Sequence, residues 1–323
     1  MNNAGQPKIA VVSAGSAGAS FSYTMLLSGL NPEIVFIDPD LHRAEEQALD
    51  LQQATIFSHH REVRAGGMSE LGQAEITVLC DAGHKAGEAP EDLLRTNLEL
   101  IREAAVEIAG RNPSGIILVG ANPVDALTYA AWKLSGLPRK QVIGTGTLVQ
   151  TATLRHLLGR HFRLDPNSVH AYVLGGNGGK LPIWSSATIA GMYVTDVCKA
   201  HGCPPAVLQS IFSEVRDRTT NSQCHPEAGP LSTGAGLARI ATAILRDEQH
   251  VLSVSTVLKN EYGLSDTAVS VPVVIGQRGI DRILHLELSD DEVARLLACG
   301  ATTRKTIQGL DLHELRCVLS EVC

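Results

Sequence analysis

A doubly wound α/β fold on a mainly parallel sheet is what this sequence predicts, and three observations predict it. Runs at 9–12, 34–37, 76–80 and 116–119 are almost wholly apolar, as strands buried on both faces of a parallel sheet are. Stretches with apolar residues at helical spacing separate them. Polar or glycine-rich segments follow three of the four runs, where open α/β sheets bind ligands.

The first unit spans residues 8–38. Its opening strand ends in a turn, Ser13-Ala14-Gly15-Ser16-Ala17-Gly18, and a helix follows with Phe21, Met25, Leu26 and Leu30 on one face. Asn31-Pro32 is expected to stop that helix. A second strand then ends on Asp38. Strand, glycine turn, helix and strand with a terminal acid form a dinucleotide-binding unit, because backbone N–H groups and a helix N-terminus meet a pyrophosphate while the acid meets a ribose hydroxyl. The G-x-G-x-x-G pattern departs at its first position, which is Ser13. A Cβ there costs roughly 1 kcal/mol or more if the turn requires positive φ. The other reading is a two-sided sheet core with a small-residue turn and no ligand.

A helix with Leu41, Ala44, Ala48, Leu51 and Ile56 inward comes next, then a short strand near Val63. The strand at 76–80 runs into Asp81-Ala82-Gly83-His84-Lys85-Ala86-Gly87-Glu88, and a long helix carries Leu93, Leu94, Leu98, Ile101 and Ala105. The strand at 116–119 opens on Gly120-Ala121-Asn122-Pro123-Val124-Asp125. From Val142 onward longer helices, near 147–159, 204–220 and 229–246, mix with β-rich stretches at 168–174, 250–258 and 269–286. A terminal helix begins at Ser289, an N-cap before Asp290, Asp291 and Glu292. No linker interrupts the chain, so a mixed α+β half continues from the first.

With 323 residues, 44% of them hydrophobic, the chain is long enough for two sub-domains with buried cores. A formal charge of −7 and no basic stripe argue against nucleic acid. No apolar run is long enough to span a membrane, and the first residues lack the pattern of a signal peptide, so a cytoplasmic location is expected. Seven cysteines without a C-x-x-C pair suggest reduced thiols. The 12 histidines show no ligand spacing with cysteine, so no metal is expected.

Through Asn122-Pro123-Val124-Asp125, Val142-Ile143-Gly144-Thr145-Gly146-Thr147 and Glu261-Tyr262-Gly263-Leu264-Ser265-Asp266, the chain resembles the L-lactate/malate dehydrogenase family, bacterial lactate dehydrogenases above all. The resemblance covers about residues 8–300. It implies a Rossmann-type NAD-binding domain, residues 1–145, followed by a lactate/malate dehydrogenase-like catalytic domain, residues 146–323, a small-molecule substrate, and a homodimer or homotetramer. Asp38 matches the family's ribose-binding acid and Asn122 the asparagine beside the nicotinamide, while neutral Thr145 lies near the same cleft. A purely local turn is the other reading of Asn122. Repulsion between Asp38 and a 2′-phosphate favours NAD over NADP.

The family's catalytic side chains do not carry over. Its proton-transferring histidine aligns with Asn177 of Gly175-Gly176-Asn177-Gly178-Gly179. The aspartate and arginine of its D-x-x-R segment align with Gln150 and Thr153, the mobile-loop arginine with Pro90, and a pocket-shaping threonine with Gly229. An amide has no proton to give at neutral pH, and general-acid help is worth roughly 10²–10⁴-fold. Thr153 cannot fork two carboxylate oxygens as a guanidinium does. Two functional readings follow. One is an NAD-dependent oxidoreductase acting on something other than a 2-hydroxy acid, with an imine or iminium as candidate. The other is a catalytically inactive homologue that serves as an NAD-binding or scaffolding protein.

Other candidates are His84 and Lys85 as lid residues, with a solvated loop pair as the bland reading, and Cys224-His225 before a pocket-lining helix. Arg155 and His170 match positions that bind a sugar bisphosphate in bacterial lactate dehydrogenases, and surface or interface packing is the alternative. Trp132 and Trp184 read as packing residues.

Overall fold

The computed structural model describes residues 6–58, 62–82, 90–176, 178–204, 206–224, 229–310 and 312. Its first half is a parallel sheet in spatial order β3-β2-β1-β4-β5-β6: β1 (Lys8–Val12), β2 (Glu33–Ile37), β3 (Val63–Ala65), β4 (Ile76–Leu79), β5 (Ile116–Val119) and β6 (Val142–Gly144). Val11 sits between Phe36 and Val78 in register, and all three are buried. Helices α1 (Ser16–Leu27), α2 (Leu41–Ala54), α3 (Pro90–Arg111) and α4 (Val124–Ser135) make the crossovers. Two apolar clusters result: one holds Ile9, Val11 and Phe21, and the other holds Ala10, Val12 and Ile101. A strand flanked on both sides in this way must be apolar at successive positions, which explains the unbroken runs.

Through the second half run α5 (Leu148–Phe162), β7 (Val169–His170), β8 (Val173–Gly176), β9 (Gly179–Pro182), β10 (Thr188–Ile189), β11 (Met192–Tyr193), α6 (Val194–Ala200), α7 (Val207–Cys224), α8 (Pro230–Leu245), β12 (His250–Lys259), β13 (Ser265–Gly276), β14 (Gly279–Ile283) and α9 (Asp290–Gln308). The sheet does not stop at β6. It continues antiparallel through β12-β13-β8-β9, with Ser255 of β12 opposite Gly144 of β6. That seam needs a glycine: a Cβ on Gly144 would lie 2.2 Å from the Thr128 hydroxyl. Ser289 caps α9 with a capping box to Glu292, as its sequence predicts.

Three sequence expectations are corrected. Helix α1 ends at Leu27 through Ser28 and a left-handed Gly29 (φ 74°), before Asn31-Pro32 is reached. Leu41 and Ile56 point outward, 56% and 76% exposed, while Ala44, Ala48 and Leu51 carry the inner face of α2. Helix α5 runs past Gly159 to Phe162, because the residue that adopts the left-handed terminating conformation is Arg163.

Candidate functional site: a dinucleotide cleft at the strand ends

Three strand ends, those of β1, β4 and β5, meet above the first half of the sheet. Ser13 leaves β1 with φ 76°, the left-handed conformation that the glycine pattern anticipates, so its Cβ is carried against the preference of the backbone. Two bonds hold the buried serine there: its N–H donates to the Ile37 carbonyl at 2.8 Å, and its hydroxyl donates to the Asp81 carbonyl at 2.7 Å. Gly18 is required by packing, since a Cβ would come 2.6 Å from the Ser13 carbonyl oxygen. Gly15 is required by nothing within the chain. Its φ of −78° suits any residue, and an added Cβ would meet only ordinary contacts at 3.6 and 3.7 Å. A glycine at such a place leaves room for a ligand to approach the backbone. Helix α1 also starts there with no side-chain cap and no acid in its first turn, so its N–H groups face the cleft without an internal anion. These features fit a dinucleotide pyrophosphate.

Asp38 ends β2 as expected, but its carboxylate is occupied from within. Ala14 N–H donates to it at 2.8 Å, Asp40 N–H at 2.9 Å, and Arg43 forks onto both oxygens through Nε and Nη2. The Asp38 side chain has no exposed surface. Arg43 is a partner of Asp38 that the sequence did not announce.

Asn122 follows β5 on the exposed cleft side, and Thr145 lies buried just after β6. The Asp81 carboxylate accepts from the Asn122 N–H at 2.8 Å. Buried Asn97 of α3 ties this corner together: its amide donates to Asp81 and to the Asn122 carbonyl, and its Oδ1 accepts from Ala82 N–H, all within 3.0 Å. Sequence signals for both residues existed. Asp81 ends a strand just as Asp38 does, and Asn97 interrupts the stripe of Leu94, Leu98 and Ile101.

Across the cleft, α5 and β8 are clamped together through Val173. Its N–H donates to the Thr151 hydroxyl at 3.0 Å, and its carbonyl accepts from Ser253 at 2.8 Å and from Thr147. Gln150 is half-buried one turn into α5. The Thr153 hydroxyl turns back on its own helix, donating to the Val149 carbonyl at 2.9 Å. Gly176 ends β8 directly before Asn177, and Asp125, fully buried, lies so close that a Cβ on Gly176 would fall 1.7 Å from its Oδ2. The Ser255 hydroxyl donates to Asp125 at 2.7 Å. Burial pushes the Lys180 ammonium below its ordinary pKa, and the charge of Asp125 opposes that shift. Burial and Asp125 raise the Cys299 thiol to about 12, so it is a neutral thiol. Asp125 and Lys180 are site neighbours that the sequence reading did not single out.

Gly229 precedes α8 at φ 145°, a conformation that L side chains rarely adopt, so a glycine rather than a threonine there has a backbone reason. Arg155 donates to the Ala171 carbonyl at 2.9 Å and stacks 4.9 Å over Tyr172, while His170 is exposed on β7. Trp132 packs edge-on against Tyr129. Asn177, His84, Lys85 and His225 lie outside the described residues, as do the side chains of Pro90 and Cys224. Among the described residues no group of three His, Cys, Asp or Glu side chains is placed to hold a metal, and no helix is long and apolar enough to cross a membrane.

Comparison with known proteins bears on the same geometry. Residues 7–144 match the lactate/malate dehydrogenase NAD binding domain, and residues 147–311 match the lactate/malate dehydrogenase alpha/beta C-terminal domain. The chain belongs to the lactate/malate dehydrogenase family. It is 36% identical to an L-lactate dehydrogenase of Acetivibrio thermocellus over 96% of this chain and 99% of the relative, and 35% identical to one of Bacillus caldolyticus over 95% and 98%. The crystal structure of a minor L-lactate dehydrogenase from Enterococcus mundtii in the ligands-bound form superposes with a TM-score of 0.90 at 31% identity, covering 95% of this chain and 99% of that one. The cofactor of the first domain is therefore NAD.

Proposed function

We propose that this member of the family is an NAD-dependent oxidoreductase whose substrate is a C=N compound, reduced as an iminium, and not a 2-oxo acid. The observation that carries the reading is a pairing in the cleft: the Asp81 carboxylate lies against Asn122, while Thr153, where the family places its carboxylate-gripping arginine, spends its hydroxyl on Val149. Bound NADH supplies a hydride. A ketone that accepts it develops an alkoxide and needs a proton donor or cation, whereas a protonated imine is neutralised and needs neither in that step. Two arginines would repel such a cation; a carboxylate attracts it. Asn177 and Gln150 serve as neutral groups that orient the substrate N–H, and Gly229 leaves room for a ring. Gly15, Gly18, Asp38, Asn122 and Thr145 line the cofactor side, Ser13 holds the turn, and Asp38 favours NAD over NADP. His84 contributes to the lid.

The test follows NADH oxidation with a panel of cyclic imines and matched ketones, in the wild type and in Asn177→Ala. Imine turnover that falls in the variant is expected. Turnover of ketones, pyruvate or oxaloacetate without imines overturns the proposal. Binding of NADH with no turnover of either leads to the second reading, an inactive NAD-binding homologue, which the Arg43 fork on Asp38 and the strained Ser13 favour.

The assembly we propose is a homodimer or a homotetramer. Leu49, Ile56 and Phe57 are 62%, 76% and 92% exposed on α2 and the turn after it, with Leu27 and Leu231 exposed on α1 and α8, an apolar face that a second copy would cover. Sedimentation should give no monomer at micromolar concentration, and Phe57→Glu should dissociate the oligomer. A phosphate effector at Arg155 and His170 would have to draw Arg155 from Tyr172. Burial and the charges of Arg239 and Arg155 hold nearby His250 below its ordinary pKa, as a cationic neighbourhood does.

A further inference from the structure

Far from the cleft, the end of α6 brings two thiols together. His201 caps that helix, Gly202 follows in the left-handed conformation (φ 65°), and Cys203 comes next. The Cys203 N–H donates to the Cys198 carbonyl at 2.9 Å and the Gly202 N–H to the Lys199 carbonyl at 3.1 Å, the paired bonds of a Schellman motif. In that motif the side chains of the third-last helical residue and of the second residue past the cap meet. Here both are cysteines, so the motif sets the two thiols side by side. The backbone bond draws their Cα atoms together, as a disulfide with its usual Cα···Cα span of about 4.4–6.8 Å requires.

The two sulfurs differ. Cys198 is buried, 8% exposed, and burial raises its thiol to about 11, with Cys203 adding to the shift. Cys203 is partly exposed, and Nε2 of His161, near the end of α5, stands 3.5 Å from its sulfur. Phe162 packs edge-on against His161 and His201, closing one side of the cluster. His161 lies about 16 Å along α5 from Gln150 at ~1.5 Å per residue, so this cluster is distinct from the cleft.

We infer that Cys198 and Cys203 form a peroxide-sensitive redox pair, with His161 as the base that frees the Cys203 thiolate. The thiolate attacks one oxygen of a hydroperoxide: an S–O bond forms, the O–O bond breaks, and the departing oxygen leaves as water or alcohol with the proton His161 took. Cys203 is then a sulfenic acid. The Cys198 sulfur attacks it, an S–S bond forms, the S–O bond breaks, and water leaves with the Cys198 proton. Two thiols are oxidised and one hydroperoxide is reduced.

The full-length wild-type protein, treated with equimolar hydrogen peroxide and then alkylated, should yield a peptide pair joined Cys198 to Cys203, two hydrogens lighter than the thiols and restored by dithiothreitol. Cys203→Ser should abolish it. Cys198→Ser should leave a sulfenic acid at Cys203 that dimedone traps, and His161→Gln should slow the reaction roughly tenfold. The wild-type peptide map decides the matter even if a variant fails to fold. Oxidation confined to other cysteines, with Cys198 and Cys203 still alkylated, overturns the inference, and so does a Cys203 disulfide between molecules.

Discussion

The two walls of the cleft are built on different terms. On the cofactor wall the polar side chains are anchored by backbone: Asp38 holds Ala14 and Asp40 N–H groups, Asn97 holds Ala82 and Asn122, and Ser13 is fixed between Ile37 and Asp81. On the substrate wall the backbone is clamped instead, with Thr147, Thr151 and Ser253 around Val173. Thr153 shows the point, since its hydroxyl donates back to the Val149 carbonyl of its own helix. Groups that hold strand ends, Asn97 above all, are exchanged at a cost in stability, whereas groups that hang from a clamped frame can change and leave the fold intact. Such a frame lets side chains on one wall vary while the other wall stays fixed.

Five measurements would break or sharpen the contrast. The largest effect is expected for Gly176→Ala, whose methyl would land on the buried Asp125 carboxylate at 1.7 Å. Displacing a buried charge should cost about 3 kcal/mol or more, and a smaller loss in chemical denaturation would mean that the frame of the substrate wall is softer than described. Asn97→Leu comes next. It leaves the Ala82 N–H and the Asn122 carbonyl without the amide, at about 2 kcal/mol or more, and NADH affinity should fall with stability because the corner beside Asn122 loosens.

Gly15→Ala separates binding from folding on the cofactor wall. Its methyl meets only ordinary contacts within the chain, so denaturation should shift by less than about 0.5 kcal/mol, while NADH affinity measured by calorimetry should fall about tenfold (about 1.4 kcal/mol). An unchanged affinity would show that the pyrophosphate does not approach there.

Acid compares an ion-paired carboxylate within the first half, Glu70, with one that ties the second half to the first, Glu261 on Arg139. Hydrogen bonds from Arg64 and Lys8 hold Glu70 down to about 2, and Glu261, which burial pushes up, is drawn down to about 2 by Arg139 and by backbone N–H groups. A carboxyl depressed in the folded state contributes stability above its unfolded pKa, about 4.5, and loses it as pH falls toward 2. Melting curves between pH 5 and about 2 should therefore flatten in Glu70→Gln and in Glu261→Gln, and an unaltered slope in either removes that pair from the account.

The smallest expected change is at Ser13. Ser13→Gly relieves roughly 1 kcal/mol of left-handed strain and gives up one hydrogen bond worth about the same, so stability should stay within about 0.5 kcal/mol. Ser13→Ala keeps the strain, loses the bond and should destabilise by about 1 kcal/mol.

Sequence alone determined a good deal about this protein. Double burial forces every position of a central strand to be apolar, so β1, β2, β4 and β5 were legible as runs, and the ligand-bearing loops fell after them. Ser289 announced α9 because a cap acts within one turn. The glycine pattern that Ser13 interrupts marked it as the place where a positive φ would carry strain, and the structure gives it φ 76°. Tertiary structure decided what depends on distant partners. Leu41 and Ile56 are as apolar as Leu51, yet they face outward, because periodicity defines a stripe and only packing chooses which of its margins is covered. Nothing near Asp38 in the pattern says that Arg43 forks onto it, since a charged residue five positions on is equally at home in solvent. Asn97 reaches Asp81 and Asn122 only when three strand ends converge. Asp125 meets Gly176 only because an antiparallel half is joined to a parallel one at β6. Local order follows from short-range sterics that a sequence carries on its face; long-range pairing follows from where the chain returns, and that is fixed by the whole core at once.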